Sequence, residues 1–325
     1  MALNAVNAIH ALQIQAGALG RKAGHLFEDT ISLRINQYQY PIRFLPRPNV
    51  HVLTGDPALL LLGSVASHYG ITHVAKALAI STGALATSEE GQKWLTINGS
   101  SISRCKSDLV ITIEAENGQT ITTGISTKQC NNKTCTNAQL YFTTARAFVG
   151  LLRNNGIPVS NAAMRALRQF CGDAGFRPLD DPAILADRQI DPRRFFWEEL
   201  NLAATKEWEG ICSKHQDQIS RLLFQKGYIN DPFIPDFLLH KTKRASAWEN
   251  TEVAIYSIDE LIKLSRDYQG FVTKPYTVRK GRYKDPLGVT HLAPRFGIIQ
   301  MQRGGQQQHP EQLQFNLETG YFYRI

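Results

Sequence analysis

One stretch of the sequence, residues 106–128, constrains the fold more than any other, and it reads KSDLVITIEAENGQTITTGISTK. Polar and apolar side chains alternate in both of its arms, a pattern typical of half-buried β-strands. Asn117-Gly118 between the arms is a strong turn signal, so the sequence predicts a β-hairpin. One face of this hairpin carries Ile and Leu residues, and the other face carries Asp108, Ser126 and Lys128.

The register of the hairpin follows from these two faces. A two-residue turn at Asn117-Gly118 would pair Asp108 with Thr127 and would set the apolar face of one arm against the polar face of the other. A three-residue loop or a glycine bulge moves the register by one residue and removes this mismatch. We therefore predict an odd-length loop or a bulge, which places Asp108 near Lys128 on one polar face.

An acidic residue on one strand, followed by an x-x-Lys triplet on the next, resembles the motif of the PD-(D/E)xK nuclease superfamily. The segment GISTKQCNN is similar to the second-strand motif of type II restriction endonucleases, a subset of which has Ser-x-Lys where most have Glu-x-Lys. The resemblance covers the first half of the chain. It implies that Asp108 binds a metal and that Lys128, beside Ser126, activates the attacking water or stabilises the phosphate. Phosphodiester hydrolysis uses such groups around a divalent metal, and we expect Mg²⁺.

The second carboxylate of such a site has several candidates. Many nucleases of this superfamily have a helical glutamate before the hairpin, in a G-x-x-x-E context that Gly24 and Glu28 match. Glu28 is therefore the predicted second ligand, although it could also be an exposed glutamate that pairs with a nearby basic residue. Glu114 could take this role instead, or the site could use fewer charged ligands. Related Ser-x-Lys enzymes take a glutamate from the next helix, where this sequence has Gln139.

A second acidic candidate is the literal Pro235-Asp236 pair, which has Lys241 and Lys243 downstream. The sequence after Asp236 gives no clear pair of strands with an acid-x-Lys triplet. Asp108 is therefore favoured over Asp236 as the centre of the site.

Periodicity and capping signals predict the elements around the hairpin. Asp56-Pro57 is a typical helix start and predicts a helix that ends near His68. Further helices are expected over residues 71–80, 137–154, 160–170 and 216–225. Ser257 and Glu260 form a capping box, which predicts a helix after a short strand at residues 253–256.

The charge distribution indicates a polyanionic partner. The chain has a net charge of +8, and residues 117–172 contain six Lys or Arg residues, including Lys133, but no Asp or Glu. A basic segment beside a candidate metal site suits nucleic acid. The alternative is a basic face that has no partner.

The last third of the chain carries the candidate DNA-contacting residues. A basic run with interleaved tyrosines suits a phosphate backbone, and we predict backbone contacts by Arg279, Lys280, Arg282 and Lys284. The segments FGIIQMQR and LQFNLE are predicted strands with outward-facing polar residues. Amide and guanidinium groups match the edges of adenine and guanine, so we predict base contacts by Gln300, Gln302, Arg303, Gln314 and Asn316. A solvated polar sheet face is the alternative.

These observations predict an α/β protein with a restriction-endonuclease-like mixed central β-sheet flanked by helices and with C-terminal β-rich recognition elements. Residues 1–175 are expected to form the nuclease core, and residues 176–325 the recognition region, within one globule. The expected function is that of a type II restriction enzyme, which cleaves double-stranded DNA at specific sequences with Mg²⁺. Alternatives are a structure-specific repair or recombination nuclease, a DNA-binding protein that does not cleave, and a basic scaffold unconnected to nucleic acid.

The resemblance further implies a homodimer, because a twofold protein matches a palindromic site, and a cognate DNA methyltransferase. The sequence contains no signal peptide and no apolar run of eighteen residues, so a cytoplasmic location is expected. The five cysteines are an odd number, which favours reduced thiols.

Overall fold

The computed structural model describes residues 25–45, 50–82, 96–97, 100–101, 106–225, 233–277, 290–303 and 311–319. By its internal contacts the chain divides into two compact units. The hairpin unit lies within Ala5–Ala138, Phe224–Ile262 and Thr319–Ile325, and the second unit within Met1–Asn4, Gln139–Leu223 and Lys263–Glu318. The boundary predicted at residue 175 falls inside the second unit, because the chain returns to the hairpin unit after Leu223.

The described residues form fourteen strands and eight α-helices. The strands are β1 (Ile42–Arg43), β2 (Val52–Gly55), β3 (His73–Ser81), β4 (Thr96–Ile97), β5 (Ser100–Ser101), β6 (Leu109–Ala115), β7 (Thr120–Gln129), β8 (Ala138–Thr143), β9 (Pro235–Lys241), β10 (Thr251–Ser257), β11 (Phe271–Tyr276), β12 (His291–Phe296), β13 (Ile299–Arg303) and β14 (Leu313–Leu317). The helices are α1 (25–37 among the described residues), α2 (Pro57–His68), α3 (Ala145–Asn154), α4 (Asn161–Cys171), α5 (Pro182–Ala186), α6 (Leu202–Lys214), α7 (Gln216–Phe224) and α8 (Ile258–Ser265). None of these helices combines the length and apolar character needed to cross a membrane.

A seven-stranded mixed sheet forms the centre of the hairpin unit, in the order β1-β3-β6-β7-β9-β10-β2. Neighbouring strands are antiparallel, except that β7 and β9 are parallel. Phe27, Ile31 and Ile35 of α1 recur every four residues and are buried against apolar residues of α2, β6 and β7. The mixed sheet and its helices confirm the predicted α/β class.

The hairpin register agrees with the prediction. Leu109 pairs with Ile125 and Ile113 with Ile121, so the apolar residues of both arms share one face. The connection is an odd-length loop, residues 116–118, in which the Gly118 amide donates to Ala115 O at 3.0 Å. Gly118 has φ +85°, a left-handed conformation that glycine adopts at little cost. Asp108, one residue before β6, therefore falls opposite Ser126.

Two of the predicted helices were wrong in whole or in part. Residues 71–80 form mostly strand β3, in which Val74, Ala77 and Ala79 are buried against the core. Their alanine-rich composition resembles a helix, but pairing with β1 and β6 determines their conformation. The predicted helix 137–154 begins as strand β8, and α3 starts only after Thr144, whose hydroxyl caps the Ala147 amide.

The second unit contains a five-stranded sheet in the order β11-β12-β13-β14-β8, which supplies the predicted C-terminal β-rich element. Its two predicted strands are confirmed as β13 and β14. One face of this pair is fully buried, and the ring of Phe315 lies 4.7 Å from that of Phe148 in α3. The predicted helices at 160–170 and 216–225 are confirmed as α4 and α7, and that after Ser257 as α8.

Candidate active site

The beginning of β6 and the end of β7 bring three predicted site residues together. The Asp108 carboxylate accepts hydrogen bonds from Ser126 Oγ at 3.2 Å and from the Thr127 backbone N–H at 2.8 Å, both through Oδ2. Lys128 Nζ donates to the same Ser126 Oγ at 3.3 Å and to Thr127 O at 2.9 Å. The acid and the lysine therefore meet at one serine hydroxyl, on the face that the hairpin register predicts.

Glu28 joins this group from α1. Its side chain is buried, and Thr127 Oγ1 donates a hydrogen bond to Glu28 Oε1. His25 Nδ1 lies 3.5 Å from the other carboxylate oxygen. Thr127 thus binds two carboxylates, Asp108 through its backbone and Glu28 through its hydroxyl. Glu28 is buried and not exposed, but it does pair with a nearby basic residue, His25, as the alternative interpretation expected. Gly24 of the predicted motif lies outside the described residues.

Asp108 and Glu28 are the two carboxylates that could hold a metal ion here. Among the described residues, no group of three or more His, Cys, Asp or Glu side chains is arranged to hold a metal ion. Mg²⁺ does not require such a group, because it retains several waters and is commonly bound by one or two carboxylates together with substrate phosphates. Asp108 and Glu28 both accept hydrogen bonds from Thr127, Asp108 from its backbone N–H and Glu28 from its hydroxyl, and both are hard oxygen donors.

His240 is part of this site and was not predicted from the sequence. It lies on β9 directly beside Lys128, because the parallel register of β7 and β9 pairs these two residues. The imidazole is 1 % exposed. Burial, and then the positive charge of Lys128, lower the pKa of His240 to about 4. A neutral imidazole therefore faces the ammonium group of Lys128 at neutral pH.

The remaining acidic candidates lie elsewhere. Glu114 pairs with Thr120 at the turn end of the hairpin, six residues from Asp108 and therefore about 20 Å away along the strand. This distance excludes Glu114 as a ligand of the same metal. Asp236 lies at a register shift between β7 and β9 and accepts hydrogen bonds from Thr123 Oγ1 at 2.9 Å and Gly124 N at 3.3 Å. It stabilises the junction of these two strands.

Part of the basic segment between residues 117 and 172 is used for structure. Arg153 Nε donates to Val159 O at 3.0 Å, and Arg168 Nε pairs with Asp173 at 2.8 Å. Lys133 is exposed and remains a candidate phosphate contact. Only part of the positive charge in this segment is therefore free to meet a partner.

The predicted DNA-contacting residues of the last third have different surroundings. Arg279, Lys280, Arg282 and Lys284 lie outside the described residues. Gln300, Gln302 and Gln314 are half-buried on one face of the five-stranded sheet, where Asn316 is buried rather than outward-facing as predicted. The side chain of Arg303 is 9 % exposed and lies 3.8 Å from Asp191, and burial lowers its pKa to about 10. This environment leaves little of Arg303 for contact with DNA.

The fold and the site define an α/β protein whose hairpin presents one carboxylate, a serine and a lysine at one end, while α1 supplies a second carboxylate that contacts Thr127. No family model matches the sequence, and no curated protein matches it. Among solved structures, the chain is similar to restriction endonuclease MspI in complex with its cognate DNA. The identity is 11 %, the TM-score is 0.41, and the match covers 75 % of this chain and 71 % of that chain. A likeness of this strength concerns the fold alone.

Proposed function

We propose that the protein is a Mg²⁺-dependent endonuclease that hydrolyses phosphodiester bonds of double-stranded DNA at specific sequences, as type II restriction enzymes do. The observation that carries this proposal is the convergence of Asp108 and Lys128 on the hydroxyl of Ser126. A carboxylate can hold a metal ion, and an ammonium group next to it can stabilise the charge that develops on a phosphate under attack.

Asp108 and Glu28 would hold the metal, which when bound supplies Lewis-acid activation of the scissile phosphate and of the attacking water. Ser126 and the Thr127 amide fix the orientation of Asp108 by donating to its Oδ2 atom. Lys128 is held by Ser126 Oγ and Thr127 O, and its ammonium group would stabilise the developing negative charge on the phosphate. His240 stays neutral beside Lys128 and adds no competing charge.

Double-stranded DNA is the proposed substrate because the chain carries a net charge of +8 and an exposed Lys133 near the site in sequence. Neutralisation of phosphates by Lys and Arg provides most of the non-specific affinity of DNA-binding proteins. We further propose a cytoplasmic homodimer that acts on a palindromic site and is accompanied by a cognate DNA methyltransferase.

The test is cleavage of phage DNA with Mg²⁺ by the wild type and by Asp108→Ala and Lys128→Ala. Discrete fragments from the wild type and none from either variant would support a sequence-specific nuclease centred on the hairpin. Asp187→Ala and Lys206→Ala change exposed residues of the same charges and should cleave normally. Full cleavage by Asp108→Ala would contradict the assignment of the site.

A DNA-binding protein that does not cleave is the second candidate function. It is favoured by one observation, the serine at position 126 where most related motifs have glutamate. It predicts that neither wild type nor Lys128→Ala cleaves with any divalent metal, and that both bind DNA equally. A structure-specific repair nuclease would instead cleave at branched or damaged positions and would give no discrete fragments from intact phage DNA.

A further inference from the structure

Four amide side chains share one face of the β13–β14 pair in the second unit. Gln300 lies directly opposite Asn316, and Gln302 lies directly opposite Gln314. Directly opposed residues project to the same side of an antiparallel pair. The other face of the pair is apolar core, which includes the fully buried Met301. Three of these amides, Gln300, Gln302 and Gln314, are half-buried, and Asn316 is buried.

The amides of this row are not equivalent. Gln314 Nε2 donates to Gln139 Oε1 at 3.1 Å and to Asn316 Oδ1 at 2.9 Å, which commits both of its hydrogen atoms. Gln302, opposite it, is half-buried, and its side-chain amide has no hydrogen-bond partner among the described residues. Gln302 thus retains a donor and an acceptor beside a neighbour whose orientation is fixed.

Gln302 and Gln314 are both partly exposed. The ladder pairs between β12 and β13 end at Gln300, and Gln302 lies beyond the last of these pairs. Because β13 and β14 are inner strands of the five-stranded sheet, DNA would meet the ends of these side chains and not the strands themselves. Residues two apart on a strand are separated by about 6.7 Å, which is close to two base-pair steps of about 3.4 Å each.

We propose that Gln302 reads an adenine base in the major groove, and that Gln314, held by Gln139 and Asn316, is a positioning residue for it. This inference rests on the proposed function, because it requires that the protein binds DNA. A glutamine amide matches adenine by accepting from N6–H and donating to N7, whereas guanine is read mainly by Arg or Lys. The neighbouring Arg303 projects from the opposite face, where it is buried near Asp191, so it does not share the surface of Gln302.

The experiment is selection of bound duplexes from a randomised pool by the full chain in EDTA, which separates binding from cleavage, followed by sequencing. The wild type should select a consensus that contains an adenine whose replacement weakens binding about tenfold or more. Gln302→Ala should lose preference at that position alone. Gln302→Glu keeps the shape but only accepts hydrogen bonds, so preference there should shift toward cytosine, whose N4 is a donor. Gln218→Ala, which changes a glutamine on α7 away from this face, should leave the consensus unchanged.

Each outcome decides between the two proposals. An unchanged consensus in both Gln302 variants, or a wild-type consensus without adenine, overturns the role of Gln302 while leaving the nuclease proposal intact. Selection of the expected consensus without cleavage in Mg²⁺ overturns the nuclease proposal and supports the role of Gln302. Failure of the wild type to bind any duplex overturns both.

Discussion

His240 lies beside Lys128 on the adjacent parallel strand, and both side chains project from the face of the sheet that Asp108 and Ser126 share. A protonated imidazole in this position would place a second positive charge next to Lys128. Burial and the charge of Lys128 oppose this protonation, and they lower the pKa of His240 from 6.5 to about 4. His240 is therefore neutral beside Lys128 at neutral pH.

We predict from this that the protein loses stability in mild acid through His240. Between pH 6.5 and 4 the unfolded chain binds a proton at this histidine and the folded chain does not, so unfolding becomes more favourable as the pH falls. The contribution of neutral His240 to the free energy of unfolding is fully present above about pH 6.5. It decreases by about 3 kcal/mol as the pH falls toward 4. Urea unfolding at pH 7.5 and pH 4.5 should show a smaller pH dependence for His240→Leu than for the wild type.

The control for this measurement is His68→Gln, which changes an exposed histidine in the same unit and should retain the pH dependence of the wild type. An equal pH dependence in His240→Leu and the wild type would show that His240 is not the group responsible.

Thr127 provides a test of the two-carboxylate metal site. Thr127→Val keeps the shape of the side chain and the backbone N–H that donates a hydrogen bond to Asp108. It removes the hydroxyl that donates a hydrogen bond to Glu28. Loss of a group that orients a metal ligand typically weakens metal affinity about 10- to 100-fold. The Mg²⁺ concentration for half-maximal cleavage should therefore rise by about tenfold or more in Thr127→Val. Thr127→Ser, which keeps the hydroxyl, should remain close to the wild type, and an equal Mg²⁺ requirement in all three proteins would contradict a role of the Thr127 hydroxyl in positioning Glu28 as a metal ligand.

Gly124 is required where β7 passes between β6 and β9. A Cβ atom at this position would lie 2.5 Å from the backbone oxygen of Ile234 and would also overlap Ser107 Oγ. The backbone of Ile234 cannot move aside as a flexible side chain would. Gly124→Ala should therefore lower the free energy of unfolding by about 1–3 kcal/mol or more in urea unfolding. Gly150→Ala is the matched control, because its added methyl group meets no atom within 4 Å in α3 and should stabilise the helix by about 0.5–1 kcal/mol. Equal stability of Gly124→Ala and the wild type would contradict the close packing at this strand.

The hairpin could be predicted from sequence because its determinants are local. Alternation within each arm specifies the two faces, and the need to match those faces specifies the odd loop at Gly118, without reference to any other part of the chain. The same local pattern placed Asp108, Ser126 and Lys128 on one face, whereas their catalytic roles came from the resemblance and stay a prediction. Glu28 required the resemblance to a known motif, since nothing in its own helix shows that Thr127 will meet it.

The parts that sequence reasoning missed depend on distant neighbours. Strand β9 is central, between β7 and β10, and five of its seven residues are buried, so it shows no alternation that would mark it as a strand. His240 was missed with it, because its role follows from a parallel pairing with Lys128 more than a hundred residues earlier. The one available signal was a histidine within the apolar run FLLH.

Asp56 connects the start of α2 to three other parts of the hairpin unit. Its Oδ1 atom accepts from Ala58 N at 2.9 Å and Trp248 Nε1 at 2.7 Å, and its Oδ2 atom accepts from Tyr38 OH at 2.8 Å and Arg34 Nη1 at 3.0 Å. Burial alone would raise the pKa of Asp56, but these hydrogen bonds and the charge of Arg34 lower it below its usual value. The stabilisation that ionised Asp56 provides is therefore present above about pH 4, the pKa of an aspartate in the unfolded chain. It is lost as the pH falls through the lower pKa that Asp56 has in the folded protein.

The same Asp-Pro helix start occurs at Asp181-Pro182, where the aspartate caps Ala183 N on the exposed helix α5, so the two positions form a matched pair. Asp181→Ala should lower the free energy of unfolding by about 1 kcal/mol, the usual contribution of an N-cap residue. Asp56→Ala should cost about 3 kcal/mol, because it also leaves Tyr38 and Trp248 without their acceptor. Asp56→Asn retains the cap but not the charge and should lie between wild type and Asp56→Ala in urea unfolding at pH 7. Equal losses at the two caps would mean that Asp56 acts as a helix cap alone.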